Sequence, residues 1–297
     1  MTRLTALTGV IGISFAAIFV RLADASPTTV TFFRLVYALP FLAVIVAMSP
    51  TTDDRPLRAR AIAFAAGFVF TVDLTMWHAS IGMIGAGLAT VLVNVQVVVV
   101  AMISWLVARE RPTPVAAATI PVILGGIVLI AGVGEAPTTD DPLTGTLLGV
   151  GAAVAYGSFI VLLRTANRLG TAHPAAPLLD ATLGGAIAAL AWSFVETDFA
   201  FAPSWPSHGW LLLLAIVGQT VGWLLLSRAL PRLPALETSL LILVQPAATL
   251  LWARLFFDER LAVGQWIGVV VVLVGVAVAA GRTTAVTRPR GATSGST

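Results

Sequence analysis

A few polar residues stand inside long apolar stretches, and their types limit the chemistry open to this chain. Asp73 lies 13 residues after Arg60. On a rise of 1.5 Å per residue that is about 20 Å into a hydrocarbon core of ~30 Å. A carboxylate at such depth is costly unless it is paired or exchanges a proton. Asp73 is therefore a candidate proton acceptor and a candidate contact for a cationic substrate group; the plainer reading is a structural pair with Arg34 or His78. Trp77 falls one turn on, on the same helix face, and His78 points elsewhere on the helix. Gln219 and Trp223 repeat this polar-plus-Trp spacing in a later stretch. Two such pairs read as facing walls of one cavity, where a planar or cationic substrate would stack.

Other polar residues are placed for supporting roles. Gln96 and Gln245 sit at the midpoints of two apolar stretches, and a buried amide needs a partner, either a neighbouring helix or a substrate. Pro246 follows Gln245, frees the carbonyl of Ile242 and favours a kink, which makes it a candidate gating residue. Tyr156 and Ser158 can add hydrogen bonds to a pocket. Arg34 lies about two turns inside a stretch and reads as a structural charge that snorkels outward or pairs with Asp24; the sharper reading is a counter-charge for a substrate carboxylate or for Asp73. Glu110 and Glu259 stand in charged turns and read as structural too. Asp180 and Glu237 read as solvated helix ends. Trp105, Trp192, Trp205, Trp210 and Trp252 read as an interfacial belt.

These residues need membrane helices to position them. Hydrophobic residues make up 58% of the 297, and charged residues 10%, against about 25% charge in a soluble domain. Ten spans fit, near 4–23, 28–48, 61–80, 86–107, 114–133, 143–163, 174–195, 209–230, 235–257 and 262–281. Prolines 27, 50, 56, 112, 137, 142, 174, 203, 206, 231 and 234 punctuate the connections. With the N-terminus inside, the inner segments hold Arg3, 55, 58, 60, 109, 111, 164, 168, 228, 232, 282, 288 and 290, and the outer ones only Arg21, 254 and 260. That bias places both termini in the cytoplasm, in the cell inner (plasma) membrane.

The chain also repeats. Sliding residues 86–132 by 149 positions onto 235–281 aligns Gln96 with Gln245, Glu110 with Glu259 and Arg111 with Arg260 without a gap. Five spans per half is odd, so the second half enters the membrane inverted. The expected organisation is a five-helix repeat over 1–133, an outer linker over 134–142, a second repeat over 143–281 and a disordered cytoplasmic tail over 282–297. The fold class is all-α integral membrane.

Several functions are excluded. All 17 basic residues are Arg, and all but Arg34 fall at helix ends or in connections, so no nucleic-acid surface is built. No Cys is present, which removes disulfides, thiol chemistry and Cys-ligated zinc. His78, His173 and His208 are scattered, so neither metal nor cofactor is expected. No nucleotide-binding or hydrolase motif occurs, so neither an enzyme nor an ATP-driven pump is expected.

The segments FFRLVYALPFL (32–42), WLVARERPTP (105–114) and LFFDERLAVGQ (255–265) resemble the EamA-type domains of the drug/metabolite transporter superfamily. The resemblance covers about 3–281. It implies a ten-span carrier of two five-helix halves. Ser14-Phe15-Ala16 stands where the family often has Trp-Gly, and Val97 where it often has Pro; Pro246 keeps that Pro in the second half. The expected function is a secondary transporter, an exporter of a small metabolite or drug-like compound, with protons as candidate coupling ion through Asp73. A non-transporting receptor or assembly subunit, or a membrane-embedded lipid-handling enzyme, stays as the alternative. Its partners are a small-molecule substrate and the lipid bilayer; the residues say nothing of oligomeric state.

Overall fold

The computed structural model describes residues 1–84, 86–109, 112–131, 142–169, 173, 175–196, 198–202, 204–257 and 262–286. Fourteen α-helical segments follow one another there: α1 Thr2–Ser14, α2 Ala16–Ala23, α3 Pro27–Ala47, α4 Leu57–Ile84, α5 Ala86–Asn94, α6 Gln96–Ala108, α7 Pro114–Ala131, α8 Pro142–Arg168, α9 Ala176–Ser193, α10 Ser207–Leu213, α11 Trp223–Ala229, α12 Ala235–Ile242, α13 Val244–Phe257 and α14 Val263–Val286. A π-helical turn, Leu214–Gly222, joins α10 to α11. Among the described residues there is no strand. Glu110, Glu259 and the 134–141 part of the linker lie outside the described residues. The last helix runs to Val286, past the expected start of the tail at 282.

Local signals explain the helix starts. Ser26 caps α3 by accepting from the Thr29 amide at 3.4 Å, with Pro27 in the first turn, where its missing N–H costs nothing. Helices α7 and α8 also open on prolines, Pro114 and Pro142. Pro40 and Pro121 stand inside α3 and α7, which continue through them. Among the described residues, seven helical stretches are long and apolar enough to cross a bilayer: Thr2–Ala23, Pro27–Ala47, Leu57–Ile81, Leu143–Arg168, Ala176–Ser193, Ser207–Arg232 and Ala235–Phe257. Three shorter apolar stretches accompany them, Leu92–Val107, Pro114–Leu129 and Val263–Ala279. The outside is apolar as well: Leu106, Leu147, Leu183, Val270 and Val274 are exposed, as a lipid-facing surface requires.

The tightest packing joins the two sequence repeats. Helix α4 lies along α8 and α9, α1 along α11 and the π turn, and α7 along α14. Glycines allow backbone to meet backbone. A Cβ on Gly67 would sit 1.8 Å from the Ala181 carbonyl oxygen, and one on Gly184 would sit 2.2 Å from that of Phe64. Thr71 donates to the Gly185 carbonyl across the same crossing at 3.0 Å. Small residues at helix crossings replace the hydrophobic drive that lipid cannot supply. Gly125 and Gly264 face open space.

Three long helical stretches are interrupted, each beside a polar residue or a proline. Between α12 and α13 the break falls at Leu243, whose amide reaches the Leu240 carbonyl, three residues back, at 3.1 Å. Pro246 accounts for it, because it cannot donate to Ile242. Between α5 and α6 the break falls at Val95, and the Asn94 side chain takes the Thr90 carbonyl at 2.7 Å. Between α1 and α2 it falls at Phe15, where the Ser14 hydroxyl takes the Ile11 carbonyl at 2.6 Å. Side chains that bond back to their own helix compete with its ladder and bend it. Val95 and Leu243 lie one residue from equivalence under the 149-residue offset.

Charged side chains tie the helix ends. Arg55 bridges Asp53 at 2.7 Å and Asp180, on α9, at 2.7 Å, and is itself buried. Glu237, at the start of α12, is buried and pairs with Arg3 of α1. Arg164 donates to the Leu230 and Leu233 carbonyls at 3.2 and 2.9 Å. Asp180 and Glu237 are thus paired with arginines, not solvated, because the loop and terminal arginines fold back over them.

Two outcomes follow from this packing. Gly67→Val should block the α4–α9 crossing, and the variant should lose monodispersity or several degrees of melting temperature in detergent, while Gly125→Ala should match the parent. The Arg55 guanidinium, hydrogen-bonded to Asp53, holds that carboxyl below its usual range. A depressed pKa gives stability that is present above the unfolded value and lost as pH falls through the folded one. Melting temperature should therefore fall below about pH 4, and Arg55→Ala should flatten this slope while costing about 1–3 kcal/mol. An unaltered pH slope in that variant would show that the bridge is not what titrates.

Candidate functional site

Arg34 is the centre of the buried polar residues. It projects from α3, is only 8% exposed, and donates from Nε to Gln219 Oε1 at 2.9 Å. Gln219 belongs to the π turn, and its Nε2 donates to Thr182 Oγ1 of α9 at 3.3 Å. The wide turn is closed by Thr220, whose hydroxyl reaches the carbonyl of Ala215, five residues back, at 2.8 Å. Such turns put one extra residue into a helix and shift the side chains that follow, often at functional positions. The guanidinium carbon also stands 5.3 Å from the ring centre of Phe70 on α4, within cation–π distance.

Asp73 lies on α4, 4% exposed. Asp73 and Tyr156 of α8 are both within electrostatic range of Arg34. Yet no ion pair within 4.0 Å joins Asp73 to Arg34, and the Asp73 Oδ1 atom is buried without a hydrogen-bond partner. The terminal nitrogens of Arg34 make no hydrogen bond among the described residues. Opposite charges removed from water normally collapse together, since each alone costs several kcal/mol. Here they share a neighbourhood and stay apart.

Aromatic rings wall this charged centre. Phe70 stacks on Phe159 at 4.5 Å, and Trp223 meets Phe159, Phe70 and Tyr156 edge-on at 4.9, 5.6 and 6.4 Å. Trp223 is 1% exposed, and its Nε1 is buried without a partner. Five elements converge on this spot: α3, α4, α8, the π turn and α11.

The sequence-predicted residues distribute as follows. Asp73, Tyr156, Gln219 and Trp223 gather around Arg34. Arg34 neither snorkels nor pairs with Asp24; the π turn presents an amide that it can reach inside the bundle. Trp77 does not face Trp223. Its ring neighbour is His78, 5.1 Å away, and both Trp77 Nε1 and His78 Nδ1 are buried without partners. The expected aromatic sandwich is replaced by the Phe70–Phe159–Trp223 cluster. Gln96 is fully buried and donates to the Ser239 carbonyl of α12 at 3.4 Å, a long bond, with its Oε1 left unpaired. Gln245 is half-buried, and Pro246 is buried beside the helix break. Ser158 donates to the Val154 carbonyl of its own helix at 2.7 Å. Of the tryptophans expected at the interface, Trp252 stacks on Phe15 at 4.3 Å and donates to Ser14 Oγ at 2.8 Å, and Trp210 stacks on Phe19 at 6.4 Å.

Phe70 and Phe159 carry no polar signal in an apolar sequence, and Thr182 is one hydroxyl among many. Phe70 lies three residues before Asp73, and Phe159 three after Tyr156. Helical neighbours at that spacing share a face, and this was the available signal. A shallow apolar groove of about 320 Å³ between α7 and α14 is lined by Thr119, Val122, Val270, Val271, Val274, Gly275 and Val278. It contains none of the residues of the charged centre.

The fold is a multi-helix membrane bundle, and the family that matches it makes it a membrane transporter. The EamA-like transporter family matches this chain twice, over residues 2–132 and 143–281, and the chain belongs to that family. A crystal structure of another protein superposes on 97% of this chain and 99% of its own, with a TM-score of 0.75 at 16% identity, which establishes the shared fold alone. No curated protein matches the chain.

Gln219→Leu should leave the Arg34 Nε donor buried and unpaired, and lower stability in detergent by about 2 kcal/mol. Unchanged unfolding of this variant would mean that the Gln219 bond does not hold the guanidinium.

Proposed function

We propose that this chain is a secondary transporter that exports a small metabolite or drug-like molecule by alternating access. The observation that carries this reading is the buried, unpaired Asp73 beside Arg34. An intramembrane charge with no structural partner is retained for what it binds. Seven long apolar stretches and three shorter ones sum to ten, in keeping with ten crossings. The arginine bias favours cytoplasmic termini in the plasma membrane, and the 149-residue repeat favours two inverted five-helix units, 1–133 and 143–281, joined by the linker 134–142. The cytoplasmic tail of this reading is 282–297, its first residues continuing the last helix to Val286.

In this reading Asp73, Tyr156, Gln219 and Trp223 contact substrate, joined by Arg34. Trp77, Gln96 and Gln245 border the path, and the break at Leu243 beside Pro246 is the bending point of a gate. Asp73 is the proton-coupling residue. The groups that face it electrically are Arg34 and Tyr156, with His78 on its own helix and also within range of Arg34. A proton and a substrate cation compete for one carboxylate, so release of one favours binding of the other. That competition is sufficient for exchange.

Purified chain in proteoliposomes should show solute flux that rises with an imposed pH gradient. Asp73→Asn should cut the gradient-driven component by about tenfold or more, while the protein stays folded. Full gradient dependence in the Asn variant would sink the proton role.

A further inference from the structure

Two membrane stretches are broken near their middles, and a buried amide links them. Helix α5 stops at Asn94 and α12 at Ile242, and the chain resumes one residue later as α6 and α13. The end of a helix leaves carbonyls without amide donors and gathers partial negative charge. Water answers such an end at a surface; at mid-span the protein must do so. Gln96, the first residue of α6, is fully buried and donates from Nε2 to the Ser239 carbonyl of α12 at 3.4 Å. That bond orients the amide and holds Oε1 beside the carbonyl end of α12. The Oε1 atom itself is buried without a hydrogen-bond partner. Ile242 lies three residues after Ser239, so its carbonyl is on the same side of the helix, about 4.5 Å further along the axis. Pro246 stands four residues on and has no N–H, so the Ile242 carbonyl lacks the donor that a regular helix supplies. Two oxygens from different helices thus lack donors at one break, and both are acceptors only.

We propose that the break between α12 and α13 is a site for an alkali-metal cation, held by Gln96 Oε1 and the Ile242 carbonyl, with the Ser239 carbonyl orienting the amide. Acceptors without donors call for a ligand that brings positive charge. Unwound backbone carbonyls and the carbonyl ends of half-helices are the hard, neutral oxygens that replace the water of a singly charged ion. A divalent ion does not fit, because its dehydration costs far more and no carboxylate is present among these ligands to offset it. The ion ties α6 of the first repeat to α12 of the second and fixes the bend at Leu243. Gln96 is a ligand through one atom of its amide and a strap through the other. The site shares no residue with the Arg34 centre, and it does not depend on which solute is carried.

The test is thermal unfolding of the purified full chain in detergent, in LiCl, NaCl, KCl or choline chloride at matched ionic strength. A ligand that binds only the folded protein raises its melting temperature in a saturable way. At least one of the three alkali ions should give a saturable rise of about 3 °C or more over choline, which is too large to enter the break. MgCl2 at the same ionic strength should match choline. These comparisons use the unaltered protein and need no variant to fold. Gln96→Leu removes one ligand and should abolish the difference between the alkali ions and choline. Pro246→Ala gives the Ile242 carbonyl an amide donor; it should keep the melting temperature in choline and cut the cation shift by about half or more. Equal melting in all four monovalent chlorides overturns the site, and so does a cation shift that persists undiminished in either variant. Solute flux in proteoliposomes is a separate measurement, so failure here leaves the transporter reading standing.

Discussion

Everything in the centre of this molecule is conditioned by the separation of Arg34 from Asp73. In water the attraction between them would be slight; inside a bundle it is many times larger. Keeping them apart requires that the guanidinium be held elsewhere. Gln219 holds it by Nε and Phe70 lies beneath its face. Gln219 reaches that point because a wide turn carries it there, and it is fixed in rotation by Thr182. Asp73 and Phe70 come together with these groups because α4 presses backbone to backbone on α9 through Gly67 and Gly184. A chain of small local decisions thus maintains one electrostatic tension.

The helices were legible because bilayer thickness sets their length and prolines mark their ends. The interruption at Leu243 was legible too, since Pro246 has a fixed backbone consequence. The breaks at Phe15 and Val95 were not, because Ser14 and Asn94 bend a helix only when their side chains turn inward onto it. The π turn has no composition signal at all. It is stabilised by Thr220 reaching back five residues, a choice made by tertiary packing.

The site was legible in its parts and not in its assembly. Depth alone singled out Asp73, Gln219 and Gln96. Which neighbours they meet depends on side-chain direction and on contacts across more than a hundred residues of chain, as with Arg34 and Gln219. Trp77 and Trp223 stand at matching spacings from their polar partners, yet only Trp223 enters the aromatic cluster. Periodicity gives the face of a helix, and the neighbour opposite decides what that face becomes.

The repeats of the sequence are not the solid bodies of the fold. Helix α4 rests on α8 and α9, α1 on α11, and α7 on α14, so each half is clasped by the other along its longest contacts. Separating the halves would strip both of the surfaces that hold them in shape. Within that clasp, the interruptions at Phe15, Val95 and Leu243 are where single helices already depart from the regular α ladder and change direction without loosening the grip of their neighbours.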